Sequence, residues 1–401
     1  MVFVRCWIEL MIALIAPVLP ALALAQDRPP SDTVEIAVLR QREEEPAWTT
    51  NLTRAPDDEG LAGARLALRD NETTGRITKQ VFRLAEEILA PGDDPVPVFE
   101  RLAADGSRFL VLDVPAEALL RIADAAKGRD LLLFNAGSSD DRLRGPDCRD
   151  NLLHVAPSRA MLTDALAQYL VAKRWRRWFL ITGRAERDRL YAEALRRAAR
   201  KFGARIVADK AWEFGPDARR TAQAEVAVFT QGAEHDVVIV ADEPGEFGDL
   251  ISYRTWEPRP VAGTQGLAPS AWHAAQEQWG AAQFQNRFQR LAGRPMRALD
   301  YAMWAAVRVA ASPTARTRST DLTAIRAYLR GPAFELAAFK GVPLTFRDWD
   351  WQLRQPIPLA HPASFVSMSP QAGFLHERTP LDTLGIDKAE SACSLVARSP
   401  A

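Results

Sequence analysis

Four arginines follow the ends of short apolar runs: Arg40 and Arg42 come directly after VEIAVL, and Arg184 and Arg187 after WFLIT. A guanidinium offers a planar fork of donors that matches a carboxylate through two parallel hydrogen bonds. Arginines placed this way suit the capture of a small carboxylated molecule. Further polar residues close the neighbouring runs: Asn135, Ser138 and Ser139 after LLLF, Asp242 and Glu243 after DVVIVA, and Gln265 after PVAGT. Trp48, Trp256 and Trp272 are candidates to stack on a flat ligand, although any single Trp more often packs in a core or hinge. The expected ligand-binding set is therefore Arg40, Arg42, Asn135, Ser138, Ser139, Arg184, Arg187, Asp242, Trp256, Gln265 and Trp272. Each arginine has a rival use, either lying over its own helix or pairing with Glu43, Glu44, Glu45 or Glu186.

Bond-making chemistry has no comparable support. No G-x-S-x-G elbow, H-E-x-x-H, P-loop or G-x-G-x-x-G occurs, so hydrolase, zinc and nucleotide readings lack their motifs. His154, His235, His273, His361 and His376 are scattered without paired spacing. The acidic pairs Asp57/Asp58, Asp93/Asp94 and Asp140/Asp141 read as caps and solvated turns. The basic run KRWRRW, residues 173–178, reads as a helix-to-strand junction rather than a nucleic-acid contact. Acidic and basic residues balance at 51 each over the chain, which leaves no electrostatic case for nucleic acid. The expectation is a binding protein with no catalytic residue, catalytic cofactor or metal.

The runs that carry these residues are VEIAVL, RFLVLDV, LLLFNAG, LLHVA, WFLITG, RIVADKAW, DVVIVAD and PVAGT. Continuous Val-, Ile-, Leu- and Phe-rich runs are the signature of strands buried on both faces. Helical stretches such as PVPVFERLAADG, PAEALLRIADAAKG, SRAMLTDALAQYLVAKRW and RLYAEALRRAARKFG separate them. Strand and helix in alternation predict an α/β protein with mostly parallel sheets, whose ligands bind outside the carboxyl ends of the strands. Two such arrays are separated by the polar break SSDDRLRGPDCRD; residues 269–331 are mostly helical, and the last 70 residues are Pro-rich, with strands at VPLTFRD and ASFVSMS.

DDEGLAGARLALRDNETTG, residues 57–75, reads as a helix with Leu61, Ala64 and Leu68 on its apolar face. Its acidic start complements the helix dipole and its Asn-Glu-Thr-Thr-Gly end reads as a stop. GLAGAR nevertheless spends two glycines in the first turns, at about 1 kcal/mol each against alanine. Either a neighbour packs very close there or something is bound.

At the N-terminus, Arg5 precedes an apolar run from Leu10 to Leu24 that ends in Ala23-Leu24-Ala25. The pattern predicts a secretory signal peptide cut after Ala25, because Pro17 and Pro20 break a run already short of the roughly 20 residues that span a bilayer. Cys6 leaves with it, and Cys148 and Cys393 remain to pair in an oxidising compartment or to stand as separate thiols.

This organisation resembles a type I periplasmic binding protein of the Leu/Ile/Val-binding branch that serves ABC importers. LLHVAPSRAMLTDALAQYL resembles that family's entry into its second lobe. DDEGLAGARLALRDNETTG, LTFRDWDWQLRQPI and LGIDKAESAC resemble the subfamily associated with pyrroloquinoline-quinone-dependent alcohol dehydrogenase systems. The resemblance implies two lobes, each a mostly parallel sheet flanked by helices, joined by a three-segment hinge. The implied division is a signal peptide over 1–25, lobe one over 34–140, lobe two over 152–263, a helical completion of lobe one over 269–338, and a hinge return and tail over 339–401. Crossings are expected near 141–152, 263–269 and 339–369. The first helix is expected to pack on the sheet beside the cleft. Two features depart from the amino-acid binders: the loop after strand one is RQREEEPAW rather than Pro-Leu-Ser-Gly, and Pro115-Ala116 replaces hydroxyl residues after RFLVLDV.

The expected function is a periplasmic solute-binding protein that closes on pyrroloquinoline quinone, or a related anionic metabolite of alcohol oxidation, as its ligand. Its expected partners are ABC permease subunits in the inner membrane and a periplasmic quinoprotein dehydrogenase. An amino acid or small organic acid is the alternative ligand, and an exported enzyme the third reading.

Overall fold

The computed structural model describes residues 32–46, 49, 54–215 and 218–395. The expected leader, its cleavage point after Ala25, and Trp48 lie outside these residues. The chain runs β1 (Asp32–Gln41), α1 (Leu61–Thr78), β2 (Gln80–Leu89), α2 (Pro95–Ala104), β3 (Phe109–Asp113), α3 (Ala116–Ala125), β4 (Leu132–Asn135) and β5 (Leu152–His154). Its five strands form one parallel sheet in the order β2-β1-β3-β4-β5. Alternate residues of β1 enter different layers. Ile36 and Val38 face the core that holds Trp304 and Phe284, whereas Ala37 and Leu39 face Phe99 and Leu119. Burial on both faces is why VEIAVL is apolar throughout.

The second lobe follows as α4 (Arg159–Ala172), β6 (Arg177–Thr182), α5 (Glu186–Phe202), β7 (Arg205–Ala211), α6 (Ala218–Phe229), β8 (Val237–Ala241), α7 (Gly248–Ile251) and β9 (Val261–Gly263). Its strands form a parallel sheet, β7-β6-β8-β9. The KRWRRW junction is structural: Trp178 is buried in this lobe's core, and Arg177 pairs with Asp236 and Glu234. The chain then passes through β10 (Ala268–Pro269) to α8 (Ala281–Ala292), α9 (Ala298–Thr317) and α10 (Leu322–Arg330), which pack on the first sheet. A hairpin, β11 (Thr345–Phe346) and β12 (Leu353–Arg354), precedes β13 (Ile357–His361) and β14 (Ser364–Ser369), which pair with β10 against the second lobe.

Three expectations need correction. The sequence pattern assigns no element to residues 80–89, yet β2 pairs with β1 over ten consecutive positions. As an edge strand with one exposed face, it can use the helix formers of LAEEIL. The stop at Gly75 is not used: α1 continues to Thr78 and ends on Lys79 in the left-handed conformation (φ 61°). The strand LLH, expected to open the second lobe, pairs in parallel with β4 in the first sheet.

The first crossing therefore follows His154. There Val155 and Ala156 donate backbone N–H groups to the Asn135 carbonyl, and Gln352 Nε2 donates to the carbonyls of His154 and Ala156. Gln355 Nε2 reaches the Val155 carbonyl at 2.8 Å, and Ser270 N donates to Pro358 O at 3.1 Å. Segments around 155–158, 264–270 and 352–358 thus run side by side. Arg144 braces them. Its Nε donates to Gln352 Oε1 at 2.8 Å, and its terminal nitrogens reach the carbonyls of Ser138, Asp140 and Ala156. Much of LTFRDWDWQLRQPI is this hinge.

The glycines of GLAGAR serve helix packing. A Cβ on Gly63 would lie 1.8 Å from the Asp300 carbonyl oxygen of α9. The close neighbour is thus a helix rather than the sheet.

Candidate functional site

The carboxyl ends of the two sheets face one another across a cleft. Arg187, in the first turn of α5, donates to Glu43 beyond β1 at 2.8 Å, so the lobes touch across it. Nearby, Asp141 of the first lobe accepts from Ala160 N at the start of α4 (3.0 Å), and Arg159 N donates to the Ser139 carbonyl. A cavity of about 450 Å³ lies between the lobes, lined by Glu117, Asp140, Arg142, Arg159, Glu186, Glu193 and their neighbours.

The first lobe's wall is built from strand ends. Arg40 closes β1, with its Nε 3.2 Å from Asp113 Oδ2 at the end of β3 and Nη1 on the Glu59 carbonyl. Gly137 after β4 covers Asp113, since a Cβ there would meet Asp113 Oδ1 at 1.8 Å. Burial pushes the Asp113 carboxyl up to about 6, with Arg40 opposing and Glu43 and Glu59 adding to the rise. Glu59 is raised as well, again chiefly by burial. Arg40 faces Asp113, and Arg297 faces Glu59 at 3.5 Å, but burial outweighs their pull.

The second lobe's wall carries Arg159, which grips Glu243 with two bonds of 2.7 Å. Behind this pair, Asp188 accepts from the backbone N–H groups of Ala185 and Glu243, and burial raises it to about 6. The Tyr191 hydroxyl and Thr182 Oγ1 are buried without a hydrogen-bond partner among the described residues.

The expected arginine clamp is not assembled in this structure. Arg40 is held within the first lobe, and Arg187 is spent on Glu43. Arg184 turns to the end of β7, donating to the carbonyls of Trp212, Glu213 and Phe214. Arg42 is exposed and has no side-chain hydrogen bond or ion pair among the described residues. Asn135 is fully buried, bonded to both the carbonyl and N–H of Ser138 and to His154 Nδ1, so it shapes the loop of Ser138 and Ser139 from beneath.

Asp242 accepts from the N–H groups of Glu246, Phe247 and Gly248 and is a loop cap. Gln265 lies against Gly248, where a Cβ would meet its Cγ at 2.1 Å. Trp272 is core, stacked on Tyr301 at 4.9 Å. Trp256 is 61% exposed and bonded through its N–H to Thr230 at the end of α6, on the approach to the amino ends of β8 and β9. That is the pole away from the cleft. Sequence reasoning missed Asp113, Glu59, Arg159 and Asp188. The strand-end rule that selected Arg40 would also have found Asp113, which ends RFLVLD.

Among the described residues no group of His, Cys, Asp and Glu could hold a metal ion, and no helix is long and apolar enough to cross a membrane. Cys148 and Cys393 form a disulfide.

Comparison with known proteins agrees with this geometry. Nothing among curated protein sequences matches the chain. Among solved structures, a branched-chain amino acid ABC transporter periplasmic ligand-binding protein from Burkholderia xenovorans superposes with a TM-score of 0.68 at 16% identity, covering 90% of this chain and 100% of that one. A solute-binding protein from R. palustris in complex with benzoate gives 0.64 at 10% identity, over 90% and 99% of the two chains. The closed leucine-, isoleucine-, valine-, threonine- and alanine-binding protein from Brucella ovis gives 0.63 at 13%, over 87% and 93%. The sequence model of the periplasmic binding proteins matches residues 61–363, well over half of the chain. With two α/β lobes, a three-segment hinge and a polar cleft between strand ends, the chain belongs to the periplasmic binding protein family.

Proposed function

We propose that this protein is the substrate-binding component of an ABC importer, exported with removal of its leader after Ala25, and that its ligand is a small solute carrying an amine. The family and the two-lobed cleft support the transport role, with ABC permease subunits in the inner membrane as partners. One observation carries the ligand class. Arg40, Arg159 and Arg187 are each already paired with a carboxylate, while burial raises Asp113, Glu59 and Asp188. Buried carboxyls raised in this way have lost the hydration of their negative charge, a cost that pairing has not offset. A cationic group entering the cleft would relieve it, whereas a polyanion would add to it. The amino-acid binders among the structural neighbours are consistent with such a solute.

The second reading is pyrroloquinoline quinone, with a periplasmic quinoprotein dehydrogenase as the linked system. It rests on the resemblance of DDEGLAGARLALRDNETTG, LTFRDWDWQLRQPI and LGIDKAESAC to that subfamily.

The two readings differ in sign. A bound ammonium holds Asp113 as carboxylate and lowers its pKa below about 6. Binding then releases protons, and affinity falls as pH drops through 6. A polyanion gains affinity over the same range. Calorimetric titration with leucine, benzoate and pyrroloquinoline quinone at pH 5 and pH 7.5 separates them. Leucine is expected to bind about tenfold more weakly at the lower pH, where a free carboxyl with a pKa of about 6 is about nine-tenths protonated and the bound one stays ionised. Asp113→Asn should flatten that dependence and Arg184→Ala should leave affinity unchanged. Quinone binding that strengthens on acidification, with no heat from leucine, would establish the second reading instead.

A further inference from the structure

The disulfide joins residues 245 positions apart that are anchored in different ways. Cys148 sits in a loop fixed to the first lobe, where Arg149 pairs with Asp124 at 2.6 Å and Asn151 Nδ2 reaches the Ala123 carbonyl at 2.8 Å. The tail that ends in Cys393 approaches from the second lobe. Leu384 is wholly buried in that lobe's core. Gly385 N donates to Asp164 Oδ2 of α4 at 2.8 Å, and Lys201 Nζ of α5 donates to the carbonyls of Thr383 and Gly385 at 3.0 and 2.9 Å. Gln168 Nε2 adds a bond of 2.8 Å to Thr383 Oγ1. Beyond Gly385 the chain lines the interlobe cavity at Ile386 and then reaches Cys393, after which Leu395 packs on the first lobe's core.

The tail is thus a fourth connection between the lobes: Arg347 and Trp349 of the hinge hairpin donate to its Leu384 and Ile386 carbonyls, and beyond Ile386 it runs beside the cavity to Cys393. We propose that the segment from Thr383 to Cys393, closed by the bond to Cys148, is a strap that limits how far the lobes separate. A chain segment has a fixed reach, about 3.3–3.6 Å per residue at full extension. Its short turn at Lys388–Glu390 takes up part of that length. Rotation about the hinge segments moves the Asp164 and Lys201 anchors away from Cys148 until the strap is taut. This regulation rests on the two-lobed binding reading, but it acts on the ligand-free protein.

Small-angle scattering of the ligand-free exported protein tests it, with circular dichroism and cooperative melting to confirm folding. Cys393→Ser is expected to raise the radius of gyration and the maximum dimension. The double variant Gln168→Ala/Lys201→Ala, which keeps the disulfide but loosens the tail from the second lobe, should shift both in the same direction. A folded Cys393→Ser protein with the wild-type scattering curve would overturn the strap. If that variant does not fold, the double variant decides: expansion supports the strap and an unchanged curve overturns it. Because no ligand is added, either result is independent of what the cleft binds.

Discussion

Arg144→Met is expected to cost about 3–5 kcal/mol of stability, the scale seen when one member of a buried charged network is removed. Four acceptors take bonds from this side chain: Gln352 Oε1, which has no other donor among the described residues, and the carbonyls of Ser138, Asp140 and Ala156, which also accept from Asn135, Leu143 and Gln352. Each buried acceptor left without a donor costs about 1–3 kcal/mol, and water entering the gap recovers part of that. Burial, with a smaller push from Arg159, has drawn the guanidinium down to about 10, against the pull of Asp141, Asp350 and Asp140. The group stays charged at neutral pH and its bonds are charge-assisted. Urea unfolding reads the result as a lower midpoint at an unchanged slope. A loss under about 1 kcal/mol would mean that water replaces the arginine and that it does not brace the hinge.

Gly63→Ala should destabilise the protein although alanine is the better helix former. The substitution gains about 1 kcal/mol in propensity. Against that, the new methyl would lie 1.8 Å from the Asp300 carbonyl oxygen and 2.6 Å from its carbon. Helix α9 cannot easily retreat there. The Asp300 carboxylate accepts from Gly60 N at 2.7 Å, from Arg297 N at 2.9 Å and from two nitrogens of Arg294. Overpacking a fixed site costs about 1–3 kcal/mol and sometimes more. A contact this short with backbone belongs at the upper end, so the expected net loss is about 2 kcal/mol. Chemical denaturation measures it. A stabilised variant would show that α1 and α9 can separate freely and that the glycine has no packing role.

The runs from VEIAVL to PVAGT were readable as strands because burial on both faces demands unbroken apolar sequence. The same rule could not see β2, whose half-buried Glu86 and Glu87 pair with Arg65 and Arg101 on opposite faces and whose composition favours a helix. Nor could it assign Leu152–His154 to a sheet, since a three-residue apolar strand looks the same in either one. The strand-end rule located the cleft but not the directions of its side chains. Arg40 and Arg184 both follow strands, yet one reaches Asp113, 73 residues away, and the other the end of β7. Such partners are set by topology. Trp256 was misjudged for a related reason: it lies near a strand in sequence, but at the strand's beginning. The pairing of Cys148 with Cys393 was accessible because export would leave only these two cysteines. That the resulting bond bridges two lobes was not.

On the proposed reading, the cleft holds a small amine-bearing solute for delivery to a permease. Native mass spectrometry of the protein isolated from the exported fraction tests it most directly. The expected spectrum contains a one-to-one complex whose released ligand is a small molecule with a basic nitrogen. Release of a tricarboxylated quinone, visible by its own near-ultraviolet and visible absorption, would contradict the claim.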